Sequence, residues 1–185
     1  MDNSNRNAKN DFVDAFVKLY QEFPVNKITV SRIVSTAGYN RSTFYTHFND
    51  IYSLYGYLED WLVIQIQPAV LNSMLTSGNS DRFLENFNKI DQKLLPYLLV
   101  VIQQPYGGHF VEQLREKAET TLIERLGQPN NELTFSYALD YHIAAVFRLV
   151  GRWIQNPDEM SKKDFTNLMR QLLTKGTFQV LSEEF

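Results

Sequence analysis

The side chains between residues 39 and 47 are mostly hydrogen-bonding groups, and none of them is acidic. Phe44 and Phe48 lie four residues apart, so on a helix they share one face and can anchor it in a core. The polar groups then lie on or near the outer face; they are Arg41, Ser42, Thr43, Tyr45 and His47. A surface that approaches phosphates needs donors and avoids carboxylates. This segment therefore predicts a face suited to nucleic acid.

Two short amphipathic helices around one turn position these side chains. The apolar positions before the turn are Ile28, Val30, Ile33, Val34 and Ala37. Gly38 supplies the turn, because a backbone without Cβ can take a positive φ. Two helices joined in this way form a helix-turn-helix, whose second helix enters the major groove in the DNA-binding version. Such pairs also occur in proteins that never touch DNA, so an ordinary solvated helix is the alternative.

This segment resembles the DNA-binding motif of the TetR family of transcriptional regulators. The matching residues lie at fixed spacing and are Ile28-Thr29-Val30, Ile33, Ala37-Gly38, Ser42-Thr43-Phe44-Tyr45 and His47-Phe48. The resemblance covers residues 8 to 60, and the rest of the chain resembles the family only in length and helical character. It implies a regulator that binds double-stranded DNA at a palindromic operator.

The resemblance also implies which residues contact DNA. These are Lys27, Thr29, Tyr39, Asn40, Arg41, Ser42, Thr43, Tyr45 and His47. The family often has a Lys just after the final Phe of the motif, where it meets a phosphate. This chain has Asn49-Asp50-Ile51 there, and Asp50 is a good helix N-cap that adds no positive charge. We therefore expect few phosphate contacts and a shallow salt dependence of binding.

Composition and charge limit the classes of protein to which the chain can belong. The chain has 185 residues, no cysteine and a formal net charge of −3. Residues 1–57 carry six basic and five acidic side chains, whereas the remainder carries 12 basic and 16 acidic ones. The longest apolar stretch, 94–102, is shorter than the roughly 18 residues of a membrane span and contains Pro96. With no N-terminal signal pattern, these features predict a cytoplasmic protein without membrane contact.

Apolar residues recur at intervals of three and four along the whole chain, which predicts an all-α fold of about nine helices. A three-helix DNA-binding domain is expected at 1–57 and a helical effector-binding and dimerisation domain at 58–185. The first helix should end at Pro24, and Thr29 is the expected N-cap of the second helix. A longer helix should start after Asp50. Further helices are predicted over 81–94, from Phe110 to Leu126, over 132–155 and over 161–182, with a break at 77–80.

The segment 132–155 is apolar over a wider arc than one buried face requires. It is either central in a monomer core or part of a dimer interface with segment 161–182. The resemblance implies the dimer, in which these two helices pair with their copies as a four-helix bundle. A two-fold pair of recognition helices would read half-sites about 34–36 Å apart. The predicted interface residues are Phe147, Ile154, Phe165, Leu168, Met169 and Leu172.

Aromatic residues make up 14% of the chain, and the C-terminal part is rich in them. A cavity lined by aromatic side chains with a few polar groups is the usual small-molecule site. The resemblance implies an effector pocket whose occupancy changes the spacing of the two DNA-binding units. The candidate residues are Phe83, Phe87, Tyr106, His109, Phe110, Tyr141, His142 and Arg148. The alternative is that these side chains simply fill a core.

The sequence offers no support for an enzyme. The histidines, His47, His109 and His142, lack metal-site spacing, and no phosphate loop or nucleophile motif is present. We expect no cofactor and no metal. The leading hypothesis is a DNA-binding repressor relieved by a small-molecule effector. Two others stay open: a TetR-like protein-interaction or coactivator module that does not bind an operator itself, and a helical small-molecule carrier or enzyme.

Overall fold

The computed structural model describes residues 7–75, 94–103 and 107–176. These residues form eight α-helices and no strand, so the all-α prediction is confirmed. The helices are α1 (Ala8–Glu22), α2 (Val30–Ala37), α3 (Arg41–His47), α4 (Ile51–Leu75), α5 (Leu95–Gln103), α6 (Gly107–Leu126), α7 (Glu132–Gln155) and α8 (Lys162–Lys175). The chain divides into two compact units, residues 1–62 and 63–185. The predicted helix over 81–94 lies outside the described residues.

Side-chain caps start the helices of the first unit. The side chain of Thr29 accepts from the backbone N–H of Arg32, which caps α2 as the sequence predicts. Asp50 does the same for α4: its carboxylate accepts from the backbone N–H of Ser53 at 2.7 Å. The Ser53 hydroxyl in turn accepts from the backbone N–H of Asp50 at 3.1 Å. This reciprocal pair satisfies two backbone donors at once.

The turn between α2 and α3 depends on Gly38. Its φ is +77° with ψ at 30°, the left-handed conformation that side chains with a Cβ rarely adopt. No atom lies within 4 Å of the place where a Cβ would be, so the constraint comes from the backbone alone. The predicted turn at Gly38 is therefore confirmed, and it sets the direction in which α3 leaves α2.

Aromatic side chains form the core of the first unit. Phe12 of α1 is fully buried, and its ring lies 5.2 Å from that of Phe44 and 6.3 Å from that of Phe48. Phe16 and Ile33 are also buried. These contacts fasten α3 to α1 through its apolar face, as the four-residue spacing of Phe44 and Phe48 predicts.

One carboxylate is buried within the first unit. Glu59 of α4 is only 3% exposed, and the Tyr55 side chain lies beside it. Burial, followed by the nearby Glu59 carboxylate, raises the pKa of Tyr55 well above its usual value of 10.0. The phenol is therefore harder to ionise here than an exposed tyrosine.

Helix α4 is 25 residues long and contains Pro68. Proline has no backbone N–H, so the carbonyl of Ile64 lacks its usual helical donor. Pro68 is exposed, and the Ile64 side chain is 62% exposed.

Two apolar clusters can be traced among the described residues of the second unit. In the first, Leu71, Ala118, Leu122, Leu139 and Ile143 join α4, α6 and α7. In the second, Phe165 and Met169 of α8 pack against α7, and the rings of Trp153 and Phe165 stack with centroids 5.0 Å apart. No helix among the described residues is both long and apolar enough to cross a membrane.

Helix α7 is bonded to α6 by a half-buried arginine, and its glycine leaves room for α5. The Arg115 guanidinium bonds to Asp140 of α7, to Ser136 at 2.8 Å and to Glu119 at 2.8 Å. Gly151 is buried, and a Cβ there would meet the Ile102 side chain at 3.0 Å. The small residue therefore permits α5 to approach α7 closely.

Pro96 lies in the first turn of α5, where a missing N–H costs little. One local feature differs from what the sequence predicts. Gly176 falls within the predicted last helix, but it is the C-cap of α8 with φ at +86°. Residues 177–185 lie outside the described part of the chain.

Candidate nucleic-acid interface

Helix α3 presents a continuous polar face. Phe44 is fully buried and Phe48 is buried just after the helix, whereas Tyr45 is 55% exposed. The remaining polar side chains of the helix are exposed or half-buried: Arg41, Ser42, Thr43, Thr46 and His47. The face carries no acidic residue, so it offers hydrogen-bond donors without repelling phosphates.

Arg41 is the first residue of α3, and its side chain reaches back to α2. The guanidinium Nη2 donates a 2.5 Å hydrogen bond to the hydroxyl of Ser31. Both side chains are exposed. Within the described residues, Arg41 bonds to no carboxylate, so its charge is available to a partner outside the chain.

Asn40 is the N-cap of α3. Its side-chain oxygen accepts from the backbone N–H of Thr43 at 2.8 Å and from the Thr43 hydroxyl at 3.0 Å. The cap also fixes the Thr43 side chain at the start of the helix. The structure thus gives Asn40 and Thr43 a role in starting α3, independent of any contact with DNA.

Tyr39, in the turn, faces α1. Its hydroxyl donates a 2.7 Å hydrogen bond to the Asp11 carboxylate, and its ring lies 5.1 Å from that of Phe12. The resemblance implies a DNA contact for Tyr39, and the structure shows that it supports the turn from the side of α1.

The start of α2 carries further basic groups. Lys27 and the capping residue Thr29 are exposed, as their predicted roles require. Arg32 is also exposed, and its guanidinium lies 4.4 Å from the centre of the Phe23 ring, which is a cation–π contact. The cap at Asp50 explains why an acid follows the motif: its carboxylate is used by the backbone of α4.

Among solved structures, the chain is similar to the dihydroxyacetone kinase operon activator DhaS. The TM-score is 0.53 at 18% sequence identity, and the match covers 95% of each chain. No protein-family model matches the sequence, and no curated protein matches it. At this identity the likeness concerns the fold. It shows that the two chains share an overall fold along nearly their whole length.

The predicted effector residues lie partly outside the described part of the chain. Phe83, Phe87 and Tyr106 lie outside it. Phe110 is fully buried against Phe147, with ring centroids 5.5 Å apart. The remaining candidates lie on α6 and α7 in differing surroundings: His109, Tyr141 and Arg148 are exposed, and His142 is half-buried.

One cavity of about 220 Å³ lies between α7 and α8. Its lining includes Trp153, Arg152, Glu159 and Leu168, and none of the predicted effector residues. Arg152 and Glu159 form an ion pair at 3.0 Å, so the two charges neutralise each other at its edge.

The predicted dimer residues fall into two groups. Phe165 and Met169 are buried inside their own chain, as is Ile154, and Phe147 packs on Phe110. These four side chains pack against residues of their own subunit. Leu168 and Leu172 are partly exposed on α8. A larger exposed apolar stripe on α7 was not predicted; it consists of Leu133, Tyr137 and Tyr141.

The sequence interpretation missed Ser31, Arg32 and Asp11. Ser31 and Arg41 are ten residues apart on different helices, and Asp11 and Tyr39 are 28 apart. No periodicity within a helix marks such pairs, because they depend on how the helices pack. Arg32 could have been found, since a basic residue beside the predicted N-cap of α2 is visible in the sequence.

Proposed function

We propose that this protein is a DNA-binding transcriptional regulator that reads a palindromic operator in double-stranded DNA as a homodimer. The observation that carries the proposal is the outer face of α3. This face is polar, exposed and free of carboxylates. On the opposite face, Phe44 and Phe48 are buried and pack against Phe12 of α1. This is the arrangement in which the second helix of a helix-turn-helix enters the major groove.

The likeness to DhaS supports the proposal at the level of fold, and DhaS itself is named as an operon activator. For the present chain we propose repression that a small-molecule effector relieves, with residues 63–185 as the responding unit. A promoter–reporter fusion measured with and without the gene tests the sign. Higher expression in the absence of the gene supports repression, and lower expression would identify an activator.

A homodimer suits the exposed apolar stripe on α7. Leu133, Tyr137 and Tyr141 are spaced four residues apart, so they share one face, and each is about two-thirds exposed. A second copy related by a two-fold axis would cover this stripe and the partly exposed Leu168 and Leu172 of α8. The pairing would also bring two recognition helices to one operator.

The double substitution Tyr45→Ala with Thr43→Ala tests the DNA-binding role. It removes an exposed phenol and a hydroxyl from the face of α3 and leaves Phe44 and Phe48 in place. We expect loss of the gel shift on the promoter beside the gene, while circular dichroism and light scattering match the wild type. Tyr52→Ala is the control, since that side chain is 80% exposed at the start of α4.

An unchanged gel shift in the double variant would contradict this use of α3. A wild-type protein that shifts no DNA would contradict the proposal itself. In that case, capture of a regulator protein by wild-type chain, lost in the double variant, would favour the coactivator alternative.

A further inference from the structure

We propose that Arg41 determines base specificity by selecting guanine at one position of each half-site, and that Ser31 is its positioning residue. This inference rests on the proposed DNA-binding function and goes beyond it. It names the base that Arg41 contacts and the side chain that orients Arg41. It starts from the hydrogen bond between the Arg41 guanidinium and the Ser31 hydroxyl.

The position of Arg41 suits a base contact. It is the first residue of α3, and the N-terminal residues of a recognition helix are those that reach base edges. It is also the only Arg or Lys of α3. Arginine donates in a fixed fork to O6 and N7 of guanine, which is the commonest specific contact in the major groove.

The surroundings of Arg41 differ from those of two arginines in the second unit. Arg115 and Arg152 bond to carboxylates, and these bonds occupy their charge within the protein. Arg41 instead donates to a neutral hydroxyl and has no carboxylate partner among the described residues. A guanidinium has five N–H donors, so one bond to Ser31 leaves enough for a bidentate contact.

The hydrogen bond to Ser31 restricts a long side chain before DNA arrives. An unrestrained arginine loses considerable rotamer freedom on binding, and a restrained one loses less. The bond also fixes the direction of the fork relative to α2. Ser31 therefore acts through Arg41, and removing it should weaken discrimination at the base that Arg41 reads and at no other.

The experiment is a binding-site selection with the full-length protein. The probe is a pool of double-stranded oligonucleotides with a randomised centre, sequenced after several rounds. The wild type should enrich a palindrome with guanine at one symmetric pair of positions. Arg41→Ala should lose the preference at that pair alone and bind the best site about 10- to 100-fold more weakly per half-site.

Three further variants separate positioning from contact. Arg41→Lys keeps the charge but lacks the planar fork, so it should bind DNA with reduced guanine preference. Ser31→Ala should weaken the same preference, and the double variant Ser31→Ala with Arg41→Ala should behave like Arg41→Ala alone. Ser35→Ala, another exposed serine on α2, is the matched control and should change neither preference nor affinity.

The outcomes distinguish this inference from the function on which it rests. A wild type that enriches no sequence overturns both. If the wild type enriches a palindrome but Arg41→Ala weakens all sites equally, Arg41 contacts a phosphate and the inference fails while the function stands. Additive losses in the double variant would show that Ser31 does not act through Arg41.

Discussion

The Tyr39 hydroxyl donates a 2.7 Å hydrogen bond to the Asp11 carboxylate, which joins the turn of the helix-turn-helix to α1. The Tyr39 ring also packs against Phe12, the residue whose ring contacts Phe44 of α3. The orientation of α3 therefore depends on α1 as well as on Gly38. In this protein, the turn before α3 is held by the left-handed conformation of Gly38 and by the contacts of Tyr39 with α1.

The substitution Tyr39→Phe tests that support. It keeps the ring and removes the hydrogen bond, so we expect the free energy of unfolding to fall by about 1–2 kcal/mol. Thermal or urea unfolding measures it. Tyr52→Phe is the control, because the Tyr52 side chain is 80% exposed and should tolerate loss of its hydroxyl. A selective loss of operator affinity at unchanged stability would instead indicate a direct DNA contact by Tyr39.

The cap at Asn40 allows stability and DNA affinity to be separated. Asn40→Ala should destabilise the fold by about 1 kcal/mol, because the backbone N–H of Thr43 loses its acceptor. Asn40→Asp should keep the stability, since Asp caps as well as Asn and a negative charge is favourable at a helix start. The added carboxylate should nevertheless weaken DNA binding at low salt. Equal affinity of Asn40→Asp and wild type would contradict a phosphate near this cap.

The proposed dimer is tested on α8. Leu172→Glu places a charge on a partly exposed apolar position and should yield monomers in light scattering. Thr174→Glu adds the same charge at an exposed position of the same helix and should leave the dimer intact. Dimers in both variants would place the interface elsewhere, and the stripe on α7 could then be probed with Tyr141→Glu.

The stability of the second unit should depend on pH through His142. Burial lowers the pKa of His142 below its usual value of 6.5. Below that pH the unfolded chain takes up a proton that the folded chain resists, so the free energy of unfolding falls as the pH drops from 6.5. His142→Gln removes this contribution, and its melting temperature should fall less over the same range.

His109→Gln is the matched control for the pH experiment, because His109 is exposed on α6. Melting curves at several pH values between about 5 and 7.5, the range in which histidine titrates, would compare the two variants with the wild type. The same pH profile in His142→Gln as in the wild type would show that another group causes the loss of stability.

Local features of the first unit could be predicted because they arise from short-range chemistry. The caps at Thr29 and Asp50 follow from residue type beside an apolar period, and the turn follows from Gly38. The burial of Phe44 and Phe48 follows from their spacing. These choices are made within one or two helical turns, where the sequence contains the information needed.

Contacts between distant helices could not be predicted in this way. Whether Phe165 and Met169 face a second copy or their own chain depends on how α8 packs on α7, and both choices suit the same apolar pattern. The hydrogen bond between Arg41 and Ser31 forms only when α2 and α3 pack together. The exposure of Tyr137 shows the same limit, because an aromatic at helical spacing resembles a core residue in sequence.

Pro68 lowers the bending stiffness of α4 locally, because it removes one backbone hydrogen bond of the helix. The carbonyl of Ile64 lacks an amide donor from the helix, and the proline ring crowds that carbonyl. Because Pro68 and the Ile64 side chain are both exposed, water can bond to the carbonyl at this break. The bending stiffness of α4 is therefore lowest between residues 64 and 68, so thermal bending of this 25-residue rod concentrates within about one helical turn.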